Sequence, residues 1–255
     1  MSLTDEETRQ LIQEAPRAYN TQINDILLAA LALAYRAWTG ETSLLIDLEG
    51  HGREALFDDA NLTRTVGWFT SIFPVRLEIT ETDAEAEALK RVKEHLRAIP
   101  NRGIGYGLTK YLSGNDEATT KLRAGKRAEV SFNYLGQFDR GMTETSLFTL
   151  AHETSGEVCS PRAQRSHLVE INARIVRGQL QINWIYSDMV HHRATIEGWA
   201  QTYITSLKEI IQHCLSPDAG GFTPSDFPES DLSAPELEAL LVELKGSHDA
   251  DLLNV

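Results

Sequence analysis

The 255-residue chain predicts a mixed α/β domain, a sheet of roughly five or six strands with long helices packed on it. Three observations carry that reading. Two long stretches, about Thr21–Thr39 and Ala194–Leu215, repeat apolar residues at spacings of three and four. Short runs such as Ser43–Leu48 and Gln179–Ser187 are continuously apolar or alternate with the period of a strand. Strands and helices do not alternate strictly, so a doubly wound parallel sheet is not expected.

The elements follow in chain order. In the first helix Ile23, Ile26, Leu27, Ala30, Leu31, Ala34, Tyr35 and Trp38 form one apolar face, and Gly40 supplies a left-handed stop. Ser43–Leu48 reads as a buried strand ending at Glu49, because Gly50-His51-Gly52-Arg53-Glu54 does not continue it easily. Residues 55–65 read as a polar loop. Trp68–Leu77 reads as a turn then a strand, with Pro74 marking an edge or a bulge. Asp83–Ala98 is an amphipathic helix with Ala84, Ala88, Val92 and Leu96 inward, closed by Pro100 and Gly103. A glycine-rich piece, Gly103–Gly107, leads to a short helix near Leu108–Leu112, and residues 113–127 are expected to be polar and mobile. Strands are then expected at Glu129–Leu135, Phe148–His152, Leu168–Val176 and Gln179–Ser187, the last two joined by the hairpin signal Arg177-Gly178. Residues 1–216 are read as one lobe. Residues 217–255 are read as a Pro/Gly/Ser/Asp-rich linker and an acidic terminal helix, Pro235–Leu244.

Composition narrows the function. Against 37 Asp and Glu stand 24 Lys and Arg, a formal charge of −13, which disfavours a grip on nucleic acid and on anionic membranes. The longest apolar stretch, Ile26–Tyr35, is about half of a bilayer crossing. The start MSLTDEETRQ carries acidic residues where a signal peptide has basic and then apolar ones, so no signal peptide is expected in it. Cys159 and Cys214 lie far apart with no CxxC partner, so neither a disulfide framework nor a cysteine zinc site is expected. The expectation is a cytoplasmic protein with no metal and no directly bound cofactor.

Most candidate motifs fail on chemistry. Gly103-x-Gly-x-Gly107 follows a helix and lacks the spacing of a nucleotide loop. The adjacent His191 and His192 point about 100° apart at a helix start and read as a surface pair. No G-x-S-x-G is present. Trp38, Trp68, Trp184 and Trp199 read as core or cleft walls. The segment at Glu49 is the most unusual, a carboxylate ending a buried strand with glycines on either side of His51. Two readings stand: a loop glutamate paired to Arg53, or a partly desolvated acid whose raised pKa lets it trade protons.

Five consecutive motifs then align with a family. They are Asn24-Asp25-Ile26-Leu27-Leu28-Ala29-Ala30, Glu49-Gly-His-Gly-Arg-Glu54, Arg64-Thr-Val-Gly-Trp-Phe-Thr70 with Phe73-Pro74-Val75, Pro100-x-x-Gly103-x-Gly-Tyr-Gly107 and Phe132-Asn-Tyr-Leu-Gly136. With the exit Thr223–Pro228, the chain resembles the C-terminal half of an epimerization domain of nonribosomal peptide synthetases, a branch of the condensation-domain superfamily.

The resemblance implies a chloramphenicol-acetyltransferase-like fold, of which this chain is the C-terminal lobe with a mixed sheet flanked by helices. It implies inversion of the α-carbon of an aminoacyl or peptidyl thioester, presented on the 4′-phosphopantetheine arm of a peptidyl carrier domain. Glu49 matches the acid/base glutamate of the family. Asn133 and Tyr134 match positions lining the reaction centre. His51, Arg53 and Glu54 are read as structural, and Trp68, Phe69 and Gly107 as tunnel or core. The family's H-H-x-x-x-D-G motif belongs to the N-terminal lobe of the same domain and is absent from this chain. Inversion needs proton groups on two faces, so the isolated polypeptide is expected not to epimerise and to self-associate through its uncovered face. Two competing readings are a condensation-type acyltransferase that forms peptide bonds and a non-catalytic lobe that docks carrier domains.

Overall fold

The computed structural model describes residues 1–54, 56, 59, 61–114, 117–138, 156, 160, 162–230 and 232–252, with side chains as far as Glu243. Helices α1 (Asp5–Gln13), α2 (Ala15–Ala18) and α3 (Ile23–Thr39) precede strands β1 (Ser43–Gly50) and β2 (Ser71–Glu78). Helices α4 (Glu85–Arg97), α5 (Ile104–Gly107) and α6 (Glu117–Ala124) lead to β3 (Val130–Gln137), β4 (Val169–Val176) and β5 (Gln179–Tyr186). Helices α7 (Arg193–Cys214) and α8 (Ala234–Leu252) follow. The expected strand at Phe148–His152 lies outside the described residues.

The strands form one mixed sheet in the order β2-β1-β3-β4-β5. β1, β3 and β4 run parallel, while β2 and β5 close the edges antiparallel to their neighbours. Pro74 sits on edge strand β2 opposite Asp47, a place where a missing N–H costs no ladder bond. Arg177 and Gly178 have φ of 53° and 76°, the left-handed pair that a two-residue hairpin turn requires.

One face of the sheet is the core. Ile46, Phe132, Ile171 and Ile182 alternate inward from four strands toward α3 and α7. α3 is enclosed by the sheet, α4 and α7, which is why residues 25–34 are buried all round rather than along a stripe. Gly40, at φ 77°, ends it and donates to the Arg36 carbonyl at 2.8 Å. In α7, Trp199, Tyr203, Leu207 and Ile210 face α3, as the spacing predicts. Cys214 ends this helix as a buried free thiol whose pKa burial pushes up to about 11.

Several expectations change. α1 packs Thr8 and Leu11 into the core and is started by a capping box, Thr4 with Glu7, that apolar periodicity does not show. Residues 117–124 form α6 where a mobile stretch was expected. In α4 the inward row is Ala88, Leu89, Val92 and Lys93, while Ala84 is exposed at the N-cap. Ahead of α4, burial works to raise the Asp83 pKa, but hydrogen bonds from Arg91 and Thr80 prevail and hold it at about 2.

The segment after α7, linker-like in composition, is bonded back onto the lobe. Gly221 N–H donates to the Ala18 carbonyl at 3.0 Å, and Ser225 Oγ to Glu94 Oε1 at 2.6 Å. Lys93, 1% exposed, donates to the Tyr19 carbonyl at 2.8 Å and to both Asp226 oxygens at 2.7 Å. Removing one partner of such a buried pair costs about 3–5 kcal/mol, so this contact fixes residues 217–228 firmly.

Candidate functional site

The parallel strands β1 and β3 end side by side, with Asp47 opposite Ser131 and Leu48 opposite Phe132. One step further along, Asn133 Nδ2 donates to Glu49 Oε2 at 2.6 Å. Beyond Tyr134 the β3–β4 register shifts before Gln137, and Gly136 takes φ of 83°. This bulge turns the end of β3 aside and leaves an opening at the carboxyl ends of the strands. A cavity of about 640 Å³ lies there, and Glu49, Asn133 and Tyr134 all line it. The FNYLG run therefore combines a ladder segment with four cavity residues, Asn133 to Gly136, the last being the glycine that its bend requires.

Helices supply the rest of the wall. α3 runs antiparallel to β1, so its first turn, with Asn24 and Asp25, returns to the end of the sheet where Glu49 sits. Asp25 is 1% exposed. Its carboxylate accepts the Gln22 backbone N–H at 2.6 Å and a two-pronged pair from Arg97 at 3.2 and 2.8 Å. Two glycines allow the surrounding loops to close. A Cβ on Gly52, at φ 65°, falls 1.6 Å from the Phe69 carbonyl oxygen, and one on Gly103, at φ 79°, falls 2.2 Å from the Phe73 ring. At the mouth Glu54 lies between His51 and Arg102, at 3.4 and 3.5 Å.

Burial raises the pKa of Glu49 above the ordinary carboxylate value, and repulsion from Glu170 adds to the shift. The His167 imidazole, bonded to Asp47 at 2.9 Å, and the Asn133 amide pull in the opposite direction without cancelling it. A carboxyl group so placed gives and takes a proton more readily near neutrality than a solvated one.

Each expected residue can now be placed. Glu49, Asn133 and Tyr134 come together. Glu49 is not paired to Arg53, whose guanidinium donates to the Leu62 carbonyl and lies 4.3 Å over the Phe69 ring. Trp68 edges the cavity at 90% exposure, so it is a rim and not a core residue. Trp199 is core, with Trp38 stacked on it, 42% exposed. Asn24, Asp25 and Arg97 were missed as site residues. Asp25 and Arg97 are 72 positions apart, and no local pattern announces their pairing.

Comparison with known proteins accords with this architecture. The family model for the Condensation domain matches residues 1–233, and the chain belongs to that family. Surfactin synthase subunit 1 from Bacillus subtilis (strain 168) is 40% identical over 240 residues, covering 94% of this chain and 7% of that protein. Tyrocidine synthase 2 from Brevibacillus parabrevis is likewise 40% identical over 240 residues, with the same 94% and 7% coverage. The chain thus spans a small fraction of the curated relatives it matches. Among solved structures, the epimerization domain from the third module of tyrocidine synthetase B superposes with a TM-score of 0.78 at 39% identity, over 84% of this chain and 47% of that one. The first condensation domain of the CDA synthetase shares the fold at 16% identity and a TM-score of 0.54, over 87% of this chain and 46% of that one. The fold is the chloramphenicol-acetyltransferase-like one of condensation and epimerization domains. No helix among the described residues is long and apolar enough to cross a membrane.

Proposed function

We propose that this chain is the C-terminal lobe of an epimerization domain, inverting the α-carbon of an aminoacyl or peptidyl thioester carried on a phosphopantetheine arm. The observation that carries the reading is Glu49, a half-buried carboxyl group with a raised pKa, held by Asn133 on the wall of a cavity large enough for an acyl chain. The closer likeness to an epimerization domain, 39% identity against 16% for a condensation domain, supports inversion over peptide-bond formation.

In this reading one carboxyl group exchanges the proton at the α-carbon while a group on the other face does the converse. Abstraction leaves the electron pair delocalised into the thioester carbonyl as an enolate, and the oxygen then needs positioned donors. Asn133 and Tyr134 orient the thioester and supply that polarity. Delivery of a proton to the opposite face completes inversion, with no net change in atoms. The partner group comes from an N-terminal lobe, and a peptidyl carrier domain brings the substrate. Trp68, 90% exposed on the cavity rim, and Val66, fully exposed two residues before it, are the kind of surface a facing domain covers.

The test is stereochemical. An L-aminoacyl carrier protein is incubated with this chain alone and with the chain joined to an N-terminal lobe of the family, and the released residue is resolved by chiral chromatography. A D fraction from the two-lobed protein and none from the chain alone is expected. Peptide-bond formation with a second carrier and no D residue would replace this reading by the condensation one.

A further inference from the structure

We propose that His167 is a positioning residue for Glu49: bonded to Asp47, it places an imidazolium charge where it holds Glu49 as a carboxylate, the form that takes a proton from carbon. The charge effect stands on the geometry of the sheet, and its part in inversion rests on the epimerization reading. β1 alternates, so Ile46 and Leu48 enter the core while Asp47 and Glu49 project from the opposite face. Two residues of strand set them about 7 Å apart. Across the sheet Asp47 pairs with Ser131 and Ser131 with Glu170, which brings Glu170 of β4 to this face as well. His167 lies just before β4. Its Nε2 donates to Asp47 Oδ2 at 2.9 Å, and its Nδ1 lies 3.1 Å from Ser166 Oγ. The two paired side chains are 12% and 25% exposed, so the ring is held in one orientation. Neither lines the cavity, so His167 acts through Glu49 and not on substrate.

The charges around Glu49 come from several elements. Glu170, bonded to Arg165 at 2.8 Å, opposes its ionisation, and the His167 imidazole favours it. On the cavity wall Asp25 is bonded to Arg97, and Glu54 lies between His51 and Arg102, so each of these carboxylates has its own cationic partner. Tyr134 follows Asn133 on β3. Imidazoles ordinarily remain protonated where carboxyl groups titrate, so the charge is in place when Glu49 ionises. Burial and Glu170 alone would keep Glu49 protonated over more of that range. The imidazolium returns it toward the carboxylate, and Asp47 fixes where that charge sits.

The experiment follows the 255-residue chain by NMR, isotope-labelled at its glutamate carboxyl carbons, the Glu49 signal being the one that Glu49→Gln deletes. His167→Gln keeps a donor for Asp47 and removes the charge, whereas His167→Lys keeps a charge. In His167→Gln the Glu49 carboxyl should lose its proton at a pH higher by about half a unit or more, the effect of one charge over about 7 Å near a protein surface. In His167→Lys it should stay near wild type. An unmoved Glu49 in His167→Gln, or an equal rise in both variants, overturns the proposal, the latter because lost packing then explains the rise. The coupling is reciprocal, so in Glu49→Gln the His167 imidazole should release its proton more readily by the same shift. No change there overturns the proposal without any His167 variant. In the two-lobed protein His167→Gln should move the acid side of the inversion pH profile upward by that shift. A rate lowered at every pH alike, with the profile unmoved, would make His167 structural only. Loss of inversion with the Glu49 shift intact would remove the epimerization reading and leave the His167 coupling standing.

Discussion

Two carboxyl groups share the cavity, Asp25 at the start of α3 and Glu49 at the end of β1, and they differ in how fully they are bonded. Burial raises the pKa of both. Asp25 is clasped by a backbone N–H and by both prongs of Arg97, so its geometry is fixed from two directions. Glu49 accepts one bond, from Asn133, and no Lys or Arg among the described residues lies within ion-pair distance of it. Desolvation of similar kind therefore has two outcomes. With a countercharge bonded to it, the carboxylate becomes scaffold. Without one, it keeps lone pairs free to exchange a proton, which is what proton transfer requires.

The comparison can be broken most directly at Asp25. Asp25→Ala deletes the bond to Gln22 N–H and strands Arg97, and should lower the unfolding free energy by about 3 kcal/mol in urea melts. An unchanged midpoint would show that Asp25 is not scaffold. Glu49→Gln should behave oppositely, because Gln retains an acceptor for Asn133 while removing a desolvated charge. Since the folded-state pKa of Glu49 is raised, its ionisation disfavours the folded form. Wild type and Glu49→Gln should thus unfold alike below the ordinary carboxylate range. The variant should become modestly the more stable as pH rises through the raised value. Thermal melts over that range that showed wild type gaining on the variant instead would mean Glu49 is held by a cation.

Much of the fold was legible because its signals are local. The continuous apolar character of α3, the Arg177-Gly178 turn and Pro74 on an edge strand each state their structure in a few residues. α1 was not, since its nine residues are mostly polar and only Thr8 and Leu11 are fully buried, with Ile12 packed beside them. Its Thr4-x-x-Glu7 box was the available sign. α6 buries Thr119 alone and has no apolar row to read. At the site, Glu49 could be singled out from a strand running into glycines, whereas Asn133 and Tyr134 were reached through motif resemblance. The parallel pairing that sets Asn133 beside Glu49 joins residues 84 apart, and the Asp25–Arg97 pair is set by the packing of α4 on α3. Neither leaves a mark in nearby sequence.

The central claim is that Glu49 moves the proton at the α-carbon. The direct measurement is deuterium entry at that carbon in D2O, by mass spectrometry of the aminoacyl carrier, with the two-lobed protein as wild type and as Glu49→Gln. The account predicts that the variant loses inversion by about a hundredfold to ten-thousandfold, the range of a lost acid/base group, while its unfolding midpoint does not fall. Inversion and α-deuterium uptake at the wild-type rate in Glu49→Gln would contradict it.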